Sequence, residues 1–159
     1  MTFRGTLAAI YTAPSEGDPT VDHAQVRAVA GVGLDGDRYA ADRKEGKHSF
    51  TPGTGREVTL IEREAVAAVR NETCIDVSES QTRRNLVTEG VPLNHLVGHE
   101  FMVGKVRLRG VRLAEPCAYL EGLVGEKGLR KAFVHRGGLR AEIVEGGTLR
   151  VGDSVEPVA

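Results

Sequence analysis

Val106-Arg107-Leu108-Arg109-Gly110-Val111-Arg112-Leu113-Ala114-Glu115-Pro116-Cys117-Ala118-Tyr119-Leu120 sets apolar and arginine side chains in alternation, then breaks at a proline and delivers one thiol. A period of two is the signature of a strand with one buried and one solvated face. Val106 and Leu108 alternate with Arg107 and Arg109, and Val111 and Leu113 flank Arg112, so the pattern predicts a long strand that carries its arginines away from the core. The residues after Pro116 read as a short helix with Cys117 at its first turn, where unpaired backbone N–H groups favour negative charge.

Working outward, the rest of the second half is also strand-like. Phe101-Met102-Val103 precedes the long strand, and Leu139, Ala141 and Ile143 alternate with Arg140 and Glu142. Glu145-Gly146-Gly147 reads as a turn and Leu149 and Val151 as the returning strand, which predicts a hairpin. Between these regions, residues 119–133 read as one or two short helices broken by Gly125 and Gly128.

In the first half, residues 5–11 and 57–61 are strand-like, and Val26-Arg27-Ala28-Val29 alternates weakly. Ile61, Ala65, Val66 and Val69 recur at helical spacing against Glu62, Arg63, Glu64 and Arg70, predicting a helix over roughly 62–71. Cys74 follows and is expected to pack as a small hydrophobe. Gly31-Val32-Gly33-Leu34-Asp35-Gly36-Asp37 reads as a structural turn, since Asp35 would repel a pyrophosphate. Residues 40–55 are polar and glycine-punctuated, which suggests a mobile loop able to cover a site.

Composition narrows the function classes. The 159 residues carry 21 Lys+Arg against 22 Asp+Glu, so no global field draws the chain onto nucleic acid or anionic lipid. Aromatic residues are 4% of the chain and tryptophan is absent, leaving few platforms for stacking bases. No apolar run approaches the roughly 20 residues that span a bilayer, and Met1-Thr2-Phe3-Arg4 lacks the apolar core of a secretory signal. A cytoplasmic protein is expected, with both cysteines as thiols.

Arg83-Arg84-Asn85 offers two planar forks and an amide suited to a phosphate or the edge of a pterin-like ring. His135-Arg136-Gly137-Gly138 adds a basic turn where a backbone can approach an anion closely. His95 and His99 are separated by Gly98, which interrupts a helix, so zinc ligation is not expected.

Taken in order, Gly33-Leu34-Asp35-Gly36-Asp37-Arg38, Glu57-Val58-Thr59-Leu60-Ile61, Arg84-Asn85-Leu86-Val87, residues 96–104, Glu115-Pro116-Cys117 and residues 146–153 resemble the MOSC domain, the carboxyl-terminal module of molybdenum cofactor sulfurases. The resemblance covers most of the chain. It implies a mainly β protein with short helices, an α+β barrel in a single domain over 1–159 with its core at roughly 20–156. It implies a molybdenum-dependent oxidoreductase in which Cys117 ligates molybdenum and small N-hydroxylated substrates are reduced. Arg83, Arg84, Asn85 and Arg136 would hold the phosphate-bearing pterin of the molybdenum cofactor, with an electron-donor protein as partner and neither nucleic acid nor membrane involved. Two alternatives stand beside it: a sulfurtransferase-like carrier passing a Cys117 persulfide from a sulfur-donor protein, and a non-catalytic barrel binding a phosphate ligand. Pyridoxal phosphate belongs to the aminotransferase-like domain of full sulfurases, which this sequence lacks, and is not expected to bind.

Overall fold

Strand pairing closes seven segments into a barrel. The computed structural model describes residues 1–41 and 55–159, so most of the 40–55 segment expected to cover a site lies outside the described residues. The strands are β1 (Gly5–Thr12), β2 (Val21–His23), β3 (Gln25–Val29), β4 (Gly33–Leu34), β5 (Val58–Glu62), β6 (Leu86–Glu89), β7 (Glu100–Val103), β8 (Val106–Leu113), β9 (Leu139–Glu145), β10 (Gly147–Arg150) and β11 (Ser154–Pro157). Four helices accompany them: α1 (Arg38–Ala41), α2 (Arg63–Glu72), α3 (Ala118–Val124) and α4 (Leu129–Ala132). Neighbours run β11-β7-β8-β9-β5-β6-β1, and Gly5↔Val155 and Thr6↔Ser154 join β1 to β11. Closure leaves no unpaired edge in the ring. No helix among the described residues is long and apolar enough to cross a membrane.

The alternation read from the sequence determines which side chains fill the barrel. Val106 and Leu108 are fully buried and stand opposite Val103 and Phe101 on β7, while Leu108 also faces Ile143 on β9. These residues join Leu7, Ile10, Leu60, Leu86 and Leu139 in one apolar interior. A second apolar cluster forms where the helices lie on the sheet: Ile61, Val66, Val69, Val87, Leu120, Leu129 and Phe133. Helix α2 joins β5 to the parallel strand β6 and buries Ala65, Val66 and Val69, at i, i+1 and i+4, as its periodicity predicts.

Two expectations fail. The segment after Glu145 does not fold back on β9 as a hairpin. Instead β10 leaves the barrel and pairs with β3, Gly147↔Ala28 through Arg150↔Gln25, in a separate sheet ordered β10-β3-β4. Gly146 permits the crossing, because a Cβ there would sit 2.6 Å from the carbonyl oxygen of Ala28. Cys74 is exposed, contrary to its reading as a packed hydrophobe. Thr73 ends α2 just before it, its N–H and hydroxyl both bonding the carbonyl of Val69, and turns the thiol outward while Ile75 goes in.

Candidate functional site

Where β1 and β8 end and β6 and β9 begin, the chain leaves a cavity of about 390 Å³. Six guanidiniums contribute to its wall, from Arg38, Arg56, Arg83, Arg84, Arg112 and Arg140, against the carboxylates of Asp37 and Glu115. Cys117, Tyr119 and Leu120 form the part of the wall that leads into α3. Such an excess of one sign in a partly enclosed space selects an anionic ligand.

Cys117 is the N-cap of α3, with extended backbone (φ −127°, ψ 165°) and a side chain not spent on a capping hydrogen bond. It is half-buried against the apolar cluster of Leu120, Leu129 and Phe133. The proline before it and the helix after it fix its position from both sides, as the sequence predicts.

The Arg83-Arg84-Asn85 turn reaches the same cavity, but its groups divide their work. Arg84 donates Nε–H to the carbonyl of Gly137 at 2.8 Å and Nη2–H to that of Ala114 at 2.9 Å. Arg83, in left-handed backbone conformation (φ 59°), reaches the carbonyl of Asp18. Asn85 is buried: its Oδ1 accepts from Thr59 N–H at 3.0 Å, and its Nδ2 donates to the carbonyl of Tyr11 at 3.1 Å and to Asp37 Oδ1 at 3.3 Å. Asp37 in turn accepts the N–H of Ala13 at 2.9 Å. This buried lattice ties the ends of β1, β5 and β6 together beneath the cavity, a role the amide's sequence context does not announce.

Arg136 is not part of the cavity wall. Its Nη2 meets Glu72 at 2.8 Å and its Nε donates to the carbonyl of Ala132. The neighbouring glycines do not make an anion-binding turn either. A Cβ on Gly137 would lie 2.4 Å from the carbonyl oxygen of Ala114, and one on Gly138 1.9 Å from that of Leu60, so both serve backbone-to-backbone packing.

Of the three arginines on β8, only Arg112 reaches the cavity. Arg107 pairs with Glu100 and Glu145, and Arg109 with Glu142. The guanidinium of Arg112 is held below its usual range by partial desolvation and by the charges of Arg140 and Arg56. Arg56 and Arg140 escape a motif-based reading of the sequence, and Asp37 and Arg38, although within a quoted motif, carry no site role in it. The one available signal for this wall is the phase slip from Val106 and Leu108 to Val111 and Leu113, which marks a bulge between Gly110 and Arg112.

The profile of the MOSC domain matches residues 45–156, most of the chain. The chain belongs to the MOSC domain family. Among solved structures, this MOSC domain is similar to the YuaD protein of Bacillus subtilis, at 18% identity and a TM-score of 0.78 with both chains covered in full. It is similar to YiiM of Geobacillus stearothermophilus, at 13% identity and a TM-score of 0.71, covering 98% of this chain and 75% of that one. YiiM of Escherichia coli aligns at 18% identity and a TM-score of 0.68, covering 100% and 70%. No curated protein matches the sequence. At these identities the neighbours establish the fold, a mainly β barrel with short helices.

MOSC domains are associated in general with the molybdenum cofactor, and the residues of this cavity fit such a group. A thiol on the wall supplies a soft ligand. Facing the same space are guanidiniums in excess of carboxylates, and Arg140 Nη1 is buried without a hydrogen-bond partner among the described residues.

Proposed function

We propose that this MOSC protein binds the molybdenum cofactor in the arginine-lined cleft and reduces small N-hydroxylated compounds with electrons from a partner protein. The observation that carries the reading is the placement of Cys117 on the wall of a cavity whose other walls are rich in guanidinium. Bound there, the cofactor supplies two-electron redox chemistry at the metal. The net change is R–NHOH with two electrons and two protons giving R–NH2 and water.

The chain's own groups have separable tasks in this reading. Cys117 provides the thiolate that ligates the metal, and its helix-capping position holds the sulfur at the wall without a competing hydrogen bond. The guanidiniums hold the anionic part of the cofactor. Arg84, whose Nε and Nη2 bond the carbonyls of Gly137 and Ala114, acts chiefly by fixing the loop that leads to Cys117. Arg136 takes no part.

The test is molybdenum and pterin content per chain, by elemental analysis and fluorescence, for wild type and Cys117→Ala from a cofactor-producing host. Near-stoichiometric metal in the wild type, lost in the variant, is the expected result. Absence of both metal and pterin from the wild type overturns the reading, and a persulfide mass shift at Cys117 would then identify a sulfur carrier.

A further inference from the structure

Along β8 and β9 the charged side chains are matched by sign except at one step. Arg107 stands opposite Glu145, with Nε 3.8 Å from Oε1, and Arg109 stands opposite Glu142, with Nη2 2.6 Å from Oε2. The next charged pair is Arg112 opposite Arg140. Like charges facing each other on an antiparallel ladder destabilise the sheet. The bulge creates this one: continuing the register of Gly110↔Ala141 would set Val111 opposite Arg140, and the extra residue puts Arg112 there instead.

Both members of the pair contribute to the cavity wall, as does Arg56, which bridges to Ala141 beside them. No carboxylate among the described residues forms an ion pair with Arg112 or Arg140, although the other two arginines of β8, Arg107 and Arg109, are both satisfied in that way. Cβ atoms opposite one another on such a ladder are about 5 Å apart, a separation from which two planar forks can converge on one oxyanion.

We infer that Arg112 and Arg140, with Arg56 beside them, form an oxyanion subsite on the strand side of the cleft, carried by different elements from the Arg83-Arg84 turn, that takes a phosphate or carboxylate of the bound small molecule. The inference rests on the cleft being a ligand site, and not on its holding molybdenum. An anion seated there relieves the repulsion between the two guanidiniums, so occupancy and fold stability rise together.

The experiment is titration of the full chain with inorganic phosphate, by calorimetry and by thermal melting at constant ionic strength against chloride. Wild type should bind one phosphate and melt at a higher temperature with it. Arg112→Gln and Arg140→Gln should each weaken phosphate binding by about tenfold or more. Without phosphate they should melt no lower than wild type, because a repulsion has been removed; this separates lost binding from lost folding. Arg109→Gln, on the same strand but facing Glu142, should keep wild-type affinity. Undetectable phosphate binding by wild type, unchanged affinity in the first two variants, or an equal loss in Arg109→Gln overturns the subsite. Molybdenum and pterin content of Arg140→Gln then identifies the source: loss assigns the subsite to the cofactor's phosphate, and retention assigns it to an anionic group of the substrate. A wild type free of metal and pterin would defeat the molybdenum reading alone, since the phosphate titration decides the subsite independently.

Discussion

Arg84 donates its Nε–H to the carbonyl of Gly137, 53 residues further along the chain and 2.8 Å away. Its Nη2 reaches the carbonyl of Ala114, whose own N–H is bonded to the carbonyl of Gly138. One guanidinium thus joins the turn before β9 to the loop that ends at Cys117. Lysine cannot reproduce a fork. Arg84→Lys is expected to lower unfolding free energy by roughly 2 to 3 kcal/mol in urea titrations, in the range for hydrogen bonds from charged donors. A loss under about 0.5 kcal/mol, the size of an ordinary surface substitution, would show that the clamp is not needed.

Gly138 is constrained twice. Its φ of 111° suits glycine, and a Cβ would lie 1.9 Å from the carbonyl oxygen of Leu60. Gly122, on the exposed side of α3, has nothing within 4 Å of its Cβ position. Gly138→Ala should therefore cost more than about 3 kcal/mol, through backbone strain and displacement of β5. Gly122→Ala should add up to about 1 kcal/mol from helix propensity. Thermal melts of the two variants give opposite signs if the geometry is right.

Asn85 saturates a buried site, accepting from Thr59 N–H and hydroxyl and donating to Tyr11 and Asp37. Asn85→Ala takes the acceptor from the Thr59 N–H and the donor from the Tyr11 carbonyl, an expected loss of about 2 to 4 kcal/mol. Combining it with Thr59→Val tests the network, because the shared hydroxyl bond is removed from both sides. The double variant should lose clearly less than the sum of the singles in chemical denaturation, and additivity would count against a coupled network.

Glu62 carries a pH signature. Its carboxyl is pushed above the usual range, first by burial and then by the charge of Glu64, against a hydrogen bond from the Leu93 backbone. A carboxyl with a raised folded-state value binds its proton more tightly in the native chain. Stability from this group is therefore present at acid pH and is lost as pH rises from the ordinary carboxylate value through the raised one. Glu62→Gln should be more stable than wild type at neutral pH, with the advantage shrinking towards acid. A gap that is constant with pH, in melts from pH 3 to 8, would exclude ionisation of Glu62 as its cause.

The elements were legible because period and local chemistry are written along the chain. Alternation in Val106 to Leu108, helical spacing from Ala65 to Val69, and the proline before Cys117 each describe a neighbourhood of a few residues, and each appears as read, although Ile61, counted with the helix, ends up in β5. The order of motifs also carried the family, since the same succession of glycines, arginine-asparagine and cysteine spans most of the barrel.

Partnership was not legible. Alternation says which face of a strand is buried and is silent on which strand lies beside it, so β10 reads as the return arm of a hairpin although it pairs with β3. Long, flexible guanidiniums are decided later still. Arg136 finds Glu72, Arg84 finds two carbonyls, and Arg112 is set opposite Arg140 by a one-residue bulge. The sequence by itself determined β1, β5, β7, β8 and β9, the main helix, the family and the thiol at a helix start, while β6 and β11 went unread. Tertiary structure alone decided which arginines surround that thiol, because their contacts join residues tens of positions apart and depend on barrel closure.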